Sequence, residues 1–201
     1  MKFSKIISYF FHPINFPIAG ALLYFLLLPK HIFKPQEHLI LIVIFIGTYV
    51  FPLVLLFMLR YFKMIHSYHM VTIEERKFPT LLFISISFIF GNWVLKTTVV
   101  DLLALFYFGY MLCLTFTYLF YYINLKISLH TAAIGGLLGF FLFFSYHYSL
   151  NLILLLAVLF VLSGIIASAR LKLQAHKLSE IVVGYFLGIL TQFIVYFIYI
   201  M

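Results

Sequence analysis

The sequence predicts an all-α fold, a polytopic transmembrane helical bundle of about six to seven spans. Hydrophobic residues make up 66% of the 201 residues and charged residues only 9%, whereas about 25% of residues are charged in a typical soluble domain. The apolar residues form continuous runs, as at 39–59 and 150–167. A transmembrane β-barrel is excluded, because its strands alternate apolar and polar residues.

The lengths of the apolar runs predict seven spans in one integral membrane domain that covers residues 1–201. A helix needs about 20 residues to cross a bilayer, with a usual range of about 17–25. The first, third and fifth predicted spans are short, so one of them is a candidate re-entrant segment. The predicted spans are 14–29, 39–59, 79–95, 99–122, 129–145, 150–167 and 178–199.

The N-terminus predicts a short interfacial helix over residues 1–13. Phe3, Ile6, Ile7 and Phe10 recur with helical spacing and alternate with polar residues, as in helices that lie on a membrane surface. The helix is expected to end at Pro13, which cannot continue a hydrogen-bonded helix.

Polar residues concentrate in alternate connections between the spans. The connections at 60–78, 123–130 and 168–177 follow the second, fourth and sixth spans, so they share one membrane face with the N-terminus. Their residue types indicate headgroup or anion contacts at span ends, and no nucleic-acid partner.

Positive charge is concentrated on this same face, which carries ten of the thirteen Lys and Arg residues. We therefore expect a multi-pass protein of a bacterial inner (cytoplasmic) membrane, with the polar face on the cytoplasmic side. If the four cations assigned below to an anion site are set aside, six Lys and Arg residues remain on this face and three on the opposite face. The ten are Lys2, Lys5, Arg60, Lys63, Arg76, Lys77, Lys126, Arg170, Lys172 and Lys177, and the other three are Lys30, Lys34 and Lys96.

The sixth connection and the helix after it carry the most informative pattern. His176, Glu180, Gly184 and Gly188 are each four residues apart and so share one stripe of a helix. A carboxylate one turn from a histidine accepts its ring N–H, which fixes the tautomer and raises the basicity of the other nitrogen. Arg170, six residues before the histidine, is suited to bind two oxygens of a phosphate. The alternative is an interfacial loop that only meets lipid headgroups.

The fourth connection predicts a second part of the same site. Ser128 is placed to cap the next helix, whose free N–H groups favour an anion, and His130 lies in the first turn. Gly135 and Gly139 form a Gly-x-x-x-Gly face, which allows close helix packing in lipid. We expect this face to pack on that of the last helix and to bring His130 near His176. The alternative is a capping serine with a headgroup-facing histidine.

The second connection contains Arg76 and Lys77, which are candidates to complete a cationic cage with Lys126. The alternative is a solvated basic loop followed by a helix that begins at Pro79. Two histidines have helical spacing but no obvious third metal ligand, so no metal site is predicted: His66 and His69.

These residues resemble the phosphatidic acid phosphatase type 2 superfamily, which includes vanadium haloperoxidases and bacterial acid phosphatases. The resemblance covers roughly residues 60–190. The third motif of the family is Ser-Arg, five residues, His, three residues and Asp. It corresponds here to Ala169 and Arg170, then His176, then Glu180, followed by glycines four and eight residues later.

The other two family motifs have weaker counterparts. The second motif, Pro-Ser-Gly-His, corresponds to Ile127-Ser128-Leu129-His130. The first motif, Lys, six residues and Arg-Pro, has its nearest counterpart in Arg76 and Lys77 before Pro79, with His69 seven residues before Arg76.

The resemblance implies a membrane phosphatase that hydrolyses a lipid phosphate or diphosphate ester through a phosphohistidine, without a metal or another cofactor. It makes His176 the nucleophile, Glu180 the group that orients it, and His130 the general acid. The implied ligands of the phosphate oxygens are Arg170, Lys126, Ser128, Arg76 and Lys77. The alternative function is a catalytically degenerate relative that binds anionic lipid or a membrane partner.

Overall fold

The computed structural model describes residues 2–29, 32–68, 70, 72–97 and 100–201. The described residues form helices and no strand, and seven helical segments are long enough and apolar enough to cross a membrane. The all-α bundle is confirmed, and the chain is an integral multi-pass membrane protein, whereas its membrane and orientation stay predictions. The seven segments are Lys2–Leu27, Lys34–Tyr61, Ile73–Lys96, Asp101–Tyr122, Leu129–His147, Ile153–Lys172 and Leu178–Ile200.

The first two segments are each made of shorter helices, whereas the other five are continuous. The first contains α1 and α2, joined by a 3₁₀ turn at Pro13–Asn15, and the second contains α3 and α4, joined by a π turn at Ile46–Val50. The helices are α1 (Lys2–Phe10), α2 (Phe16–Leu27), α3 (Lys34–Phe45), α4 (Phe51–Tyr61), α5 (Ile73–Lys96), α6 (Asp101–Tyr122), α7 (Leu129–His147), α8 (Ile153–Lys172) and α9 (Leu178–Ile200).

The N-terminal helix α1 has an unusual orientation, with its polar side inward. Ser4 and Ser8 are buried, while Phe3, Ile6 and Phe10 are more than half exposed, and the helix packs against α8. The 12 residues of α2 extend only about 18 Å, less than the roughly 30 Å of a bilayer core. The first candidate span therefore consists of α1 and α2 together. It begins at Lys2, earlier than the predicted span 14–29.

A π turn interrupts the second segment for an identifiable reason. Pro52 lies in the first turn of α4 and has no N–H to donate, so the regular α-helical ladder cannot run through this point. The hydroxyl of Thr48 donates to the carbonyl of Ile44 at 2.8 Å. A Cβ on Gly47 would lie 1.8 Å from the end of the Phe90 ring, so a larger residue here would require that ring to move.

Helix α5 begins earlier than expected, and the prediction of a helix that starts at Pro79 is wrong. Thr72 and Glu75 form a capping box at the N-terminus of the helix, and Pro79 lies inside it. The reciprocal bonds of a capping box satisfy backbone donors that a helix start otherwise leaves unpaired. The 24 residues of α5 are enough to cross, so this segment is not short. Arg76 and Lys77 are consequently helical neighbours, about 100° apart around the axis.

The helices α7 and α9 pack through glycine, as predicted. A Cβ on Gly135 would lie 2.2 Å from the carbonyl oxygen of Tyr185, and one on Gly188 would lie 2.2 Å from the carbonyl oxygen of Ala132. Near the N-terminal ends of both helices, the N–H of Ser128 donates to the carbonyl of Glu180 at 3.2 Å. The start of α7, which carries His130, and the start of α9, which follows His176, are therefore held together.

The apolar core lies beyond this polar end of α7. Phe106 of α6 packs on Phe140 with ring centroids 5.0 Å apart, and Tyr24 of α2 packs on Phe144 with centroids 5.5 Å apart. All four side chains are fully buried. The aromatic rings fix α7 in the centre of the bundle, which makes its N-terminal turn a rigid support for the site.

Candidate functional site

Four of the predicted site residues lie around one cavity, although they come from distant parts of the sequence. Arg76 of α5, His130 of α7, Arg170 of α8 and His176 of the loop after α8 all line it. Their exposed fractions are 6%, 9%, 7% and 7%, and such low exposure is rare for arginine. The predicted convergence of the polar connections is confirmed.

The geometry around His176 matches the predicted pair. Its Nδ1 donates to Glu180 Oε2 at 2.8 Å and lies 3.1 Å from the carbonyl oxygen of Lys126. Both neighbours are acceptors, so Nδ1 carries the proton, and the lone pair of the neutral imidazole lies on Nε2. Glu180 is in the first turn of α9 and also accepts from the N–H of Lys177 at 3.2 Å, which fixes the carboxylate.

The site favours the neutral form of His176. Burial lowers the pKa of His176, and the charge of Arg76 lowers it further, while the hydrogen bond to Glu180 acts in the opposite direction. Burial and the charge of Arg76 also lower the pKa of Lys126. A dense positive field with little water explains both shifts, and a bound anion would reduce them.

Two buried guanidinium groups lack a carboxylate partner among the described residues. The Nε of Arg76 donates to the carbonyl of Met70 at 2.7 Å, and Nη1 of Arg170 donates to the hydroxyl of Ser8, while Nε of Arg170 has no partner in the structure. Besides Glu180, the carboxylates of the chain contact groups elsewhere: Glu37 with Lys34, Glu74 with Lys77, Glu75 with His66 and Asp101 with Tyr199.

Unpaired buried charge is costly, since the desolvation of each ion is not offset by an opposite charge. A bound anion would supply that opposite charge. Because guanidinium groups match the spacing of phosphate oxygens, the cluster of Arg76, Arg170 and Lys126 is suited to a phosphate.

The sequence reasoning missed the contribution of α1 to the site. The carbonyl oxygen of Ser8 lies 3.1 Å from Nε2 of His130, and its hydroxyl lies 3.4 Å from the same nitrogen. The ring of His12 lies 5.6 Å from the ring of His130, and Lys5 lines an adjoining cavity. The four-residue spacing of Ser4 and Ser8 was the available signal, because it gives α1 a small polar stripe.

Two predicted phosphate ligands are not brought to the cavities. Lys77 pairs with Glu74 at 2.7 Å and lies 5.7 Å from the centre of the Tyr122 ring, because its direction on α5 differs from that of Arg76. Ser128 occupies the N-cap position without a side-chain capping bond, its buried hydroxyl has no partner among the described residues, and it lines neither cavity. His69, which was compared with the start of the first motif, lies outside the described residues.

The site has a polar chamber and an apolar chamber that share Ser8, Tyr9, Arg76 and Arg170. The polar chamber is also lined by Lys5 and Lys126 and by the loop after α8. The apolar chamber extends between α2, α4, α5, α6 and α7, and its lining includes Leu56, Phe83, Ile86, Cys113 and Leu114. The described residues hold no group of three His, Cys, Asp or Glu side chains arranged for a metal.

The positive charge around His176 gives a testable prediction about its pKa. Its imidazole is expected to titrate below the ordinary 6.5 of histidine, and Arg76→Gln should move that midpoint upward, because one nearby cation is removed. NMR of ¹⁵N-histidine-labelled protein measures the midpoint. Arg60→Gln is the control, since Arg60 lies over the Tyr68 ring instead. An equal shift in both variants would contradict the assignment.

The comparisons with known proteins give no relative for this arrangement, since no protein-family model, no curated protein and no solved structure matches the chain.

Proposed function

We propose that this protein is a membrane phosphatase that hydrolyses a lipid phosphate or diphosphate ester through a phosphohistidine on His176. The observation that carries the proposal is the buried imidazole of His176, whose Nδ1–H is bound by Glu180 at 2.8 Å. Its Nε2 lone pair is available in a cavity that Arg76 and Arg170 also line. A nucleophile oriented by a third group beside an anion site is the arrangement that covalent catalysis requires.

The first half of the reaction forms the phosphohistidine. Nε2 of His176 attacks phosphorus, the bond from phosphorus to the ester oxygen breaks, and its electron pair goes to that oxygen. His130, which the charge of the bound phosphate would keep protonated, gives its proton to the departing oxygen, which leaves as the alcohol. Arg76, Arg170 and Lys126 bind the other phosphate oxygens and stabilise the charge that develops on them. Glu180 stabilises the positive imidazole that attack produces.

The second half of the reaction releases phosphate. A water molecule gives a proton to His130 and attacks the phosphorus of the phosphohistidine. The phosphorus–nitrogen bond breaks, and its electron pair returns to Nε2 of His176. Both histidines end in their starting protonation states, so the cycle balances.

The two chambers support a lipid as the carrier of the phosphate. The polar chamber is bordered by Lys5, Lys126 and Arg170, whereas the apolar chamber continues from the same arginines into the bundle. A phosphate ester with a hydrocarbon chain matches this polarity, because its headgroup and chain need opposite surroundings. The short connections between the helices leave no soluble domain for a polar substrate.

The test is phosphate release by the purified protein in lipid nanodiscs that contain a chelator of divalent metals. The panel contains phosphatidate, phosphatidylglycerol phosphate and undecaprenyl diphosphate. Release from one of them by the wild type, and none by His176→Ala, is the expected result. Binding of these lipids without any release would overturn the phosphatase proposal and favour a degenerate relative that binds anionic lipid.

Ser8 gives a prediction about phosphate binding. Ser8→Ala is expected to lower kcat/KM about tenfold, mainly through KM, because a hydrogen bond to a charged group is worth about 1.5–3 kcal/mol and Ser8 holds Arg170. Ser8→Thr, which keeps the hydroxyl, should restore the wild-type KM. Ser4→Ala is the matched control, since Ser4 is buried on the same helix. Equal losses in the two alanine variants would show a general effect on α1.

A further inference from the structure

We infer that the apolar chamber binds one hydrocarbon chain, which makes the substrate a single-chain lipid phosphate. This inference rests on the proposed phosphatase function and adds the class of lipid. The chamber starts at the candidate reaction centre, because His130, His176, Arg76 and Arg170 are part of its lining. A chain attached to a phosphate at those groups would enter the chamber directly.

The lining of the chamber extends over the depth of one leaflet. Its lining on α5 runs from Arg76 to Ser87, which corresponds to about 16 Å along a helix. One leaflet of a bilayer has a hydrocarbon layer about 15 Å thick, half of the roughly 30 Å core. The chamber therefore reaches from headgroup level to about the bilayer centre.

The walls of the chamber are mainly apolar. Three hydroxyl groups in its lining donate to backbone carbonyls: Thr48 to Ile44 at 2.8 Å, Tyr107 to Pro17 at 3.1 Å and Tyr110 to Pro13 at 3.0 Å. The remaining wall is largely aliphatic and aromatic, with Leu56, Phe83, Ile86 and Leu114. Such a surface favours a hydrocarbon chain over water or a polar headgroup.

The width of the chamber limits it to one chain. Its volume is about 130 Å³, and an apolar cavity of about 150 Å³ is known to bind a single benzene molecule. A segment of one chain fits such a space, whereas two chains side by side do not. In a diacyl lipid both chains branch close to the phosphate, so the second chain would have to lie in the polar chamber beside Lys5, Lys126 and Arg170.

The experiment compares two identical substitutions on one helix. Ser87→Phe places a ring in the chamber, because Ser87 is buried and lines it. Ser85→Phe is the matched control, since Ser85 lies two residues away on the exposed side of α5. Hydrolysis of dodecyl phosphate, butyl phosphate and dioleoyl phosphatidate is measured in phosphatidylcholine nanodiscs. Each substrate partitions into the bilayer equally for both variants, so partition does not affect the ratio of their kcat/KM values.

The expected result depends on chain length. Ser87→Phe should lower kcat/KM for dodecyl phosphate at least tenfold relative to Ser85→Phe and change that for butyl phosphate less than twofold, which also shows that the variant is folded. The wild type should prefer dodecyl phosphate to dioleoyl phosphatidate at least tenfold. Equal values for the two variants, or for the two lipids, would overturn the inference.

A wild type that hydrolyses none of the three substrates, nor undecaprenyl diphosphate, would overturn the proposed function separately. The chamber would then be tested by the binding of radiolabelled dodecyl phosphate to the two variants in nanodiscs. At least tenfold weaker binding to Ser87→Phe supports one-chain binding in the chamber, and equal binding overturns it.

Discussion

Replacing His176 by alanine is expected to reduce phosphate release at least about a thousandfold, because loss of a catalytic nucleophile removes the covalent route altogether. Glu180→Gln should cost on the order of 100-fold or more, since an amide still accepts the Nδ1–H but does not stabilise the positive imidazole. The measurement is kcat/KM on the best lipid of the panel. Trapping of ³²P-phosphoprotein by rapid quench into alkali, in which phosphohistidine survives, gives an independent readout of the intermediate.

The control for this change is His147→Ala. His147 is at the other end of α7, where its Nδ1 lies 3.3 Å from the hydroxyl of Tyr196, so its loss should leave turnover within about twofold. If His176→Ala kept the wild-type rate, or if the two variants gave the same amount of alkali-stable phosphoprotein, His176 would not be the nucleophile.

Gly188→Ala is expected to lower the free energy of unfolding strongly. The added Cβ would lie 2.2 Å from the carbonyl oxygen of Ala132 and 2.6 Å from the N atom of Gly136, and backbone atoms cannot rotate away as a side chain can. Overpacking of this kind costs about 1–3 kcal/mol and occasionally more, and we expect the upper end. The thermal unfolding midpoint in detergent, followed by the fluorescence of Trp93, measures the loss.

Gly164→Ala is the matched control for this change. A Cβ on Gly164 of α8 would meet no atom within 4 Å, and replacement of a mid-helix glycine by alanine stabilises a helix by roughly 0.5–1 kcal/mol. The two substitutions are therefore expected to act in opposite directions. Turnover should fall only in Gly188→Ala, since α7 carries His130 and the start of α9 carries Glu180, the hydrogen-bond partner of His176. A destabilised Gly164→Ala would contradict this explanation.

The parts of the fold that the sequence predicts well are those set by local pattern. Continuous apolar runs identify the seven spans, because each helix in lipid must satisfy its own backbone hydrogen bonds. Glycines four residues apart identify the contact between α7 and α9. The spacing of His176 and Glu180 identifies their hydrogen bond, although only Glu180 is on α9 and His176 lies in the loop before that helix, outside the predicted helical stripe.

The errors have physical reasons of their own. A proline usually marks a helix start, but the capping box of Thr72 and Glu75 begins α5 earlier and places Pro79 inside. Because Arg76 and Lys77 then lie on α5, their side chains point in different directions. The role of Ser8 depends on how α1 docks against α8, and no local pattern specifies such a distant contact.

The contacts of α1 also bear on the order in which the protein is made. Ser8 lies 162 positions before Arg170 and 122 before His130, so α1 bonds to groups that are synthesised much later. At about 5–20 residues per second, the delay before Arg170 is synthesised is roughly 8–30 s. During this interval α1 lacks the helix α8 on which it packs, and its exposed aromatic side can rest on the membrane surface. Docking of α1 is therefore a late step of biogenesis, and a chain that stops before α8 has neither this packing surface nor the Arg170 partner of Ser8.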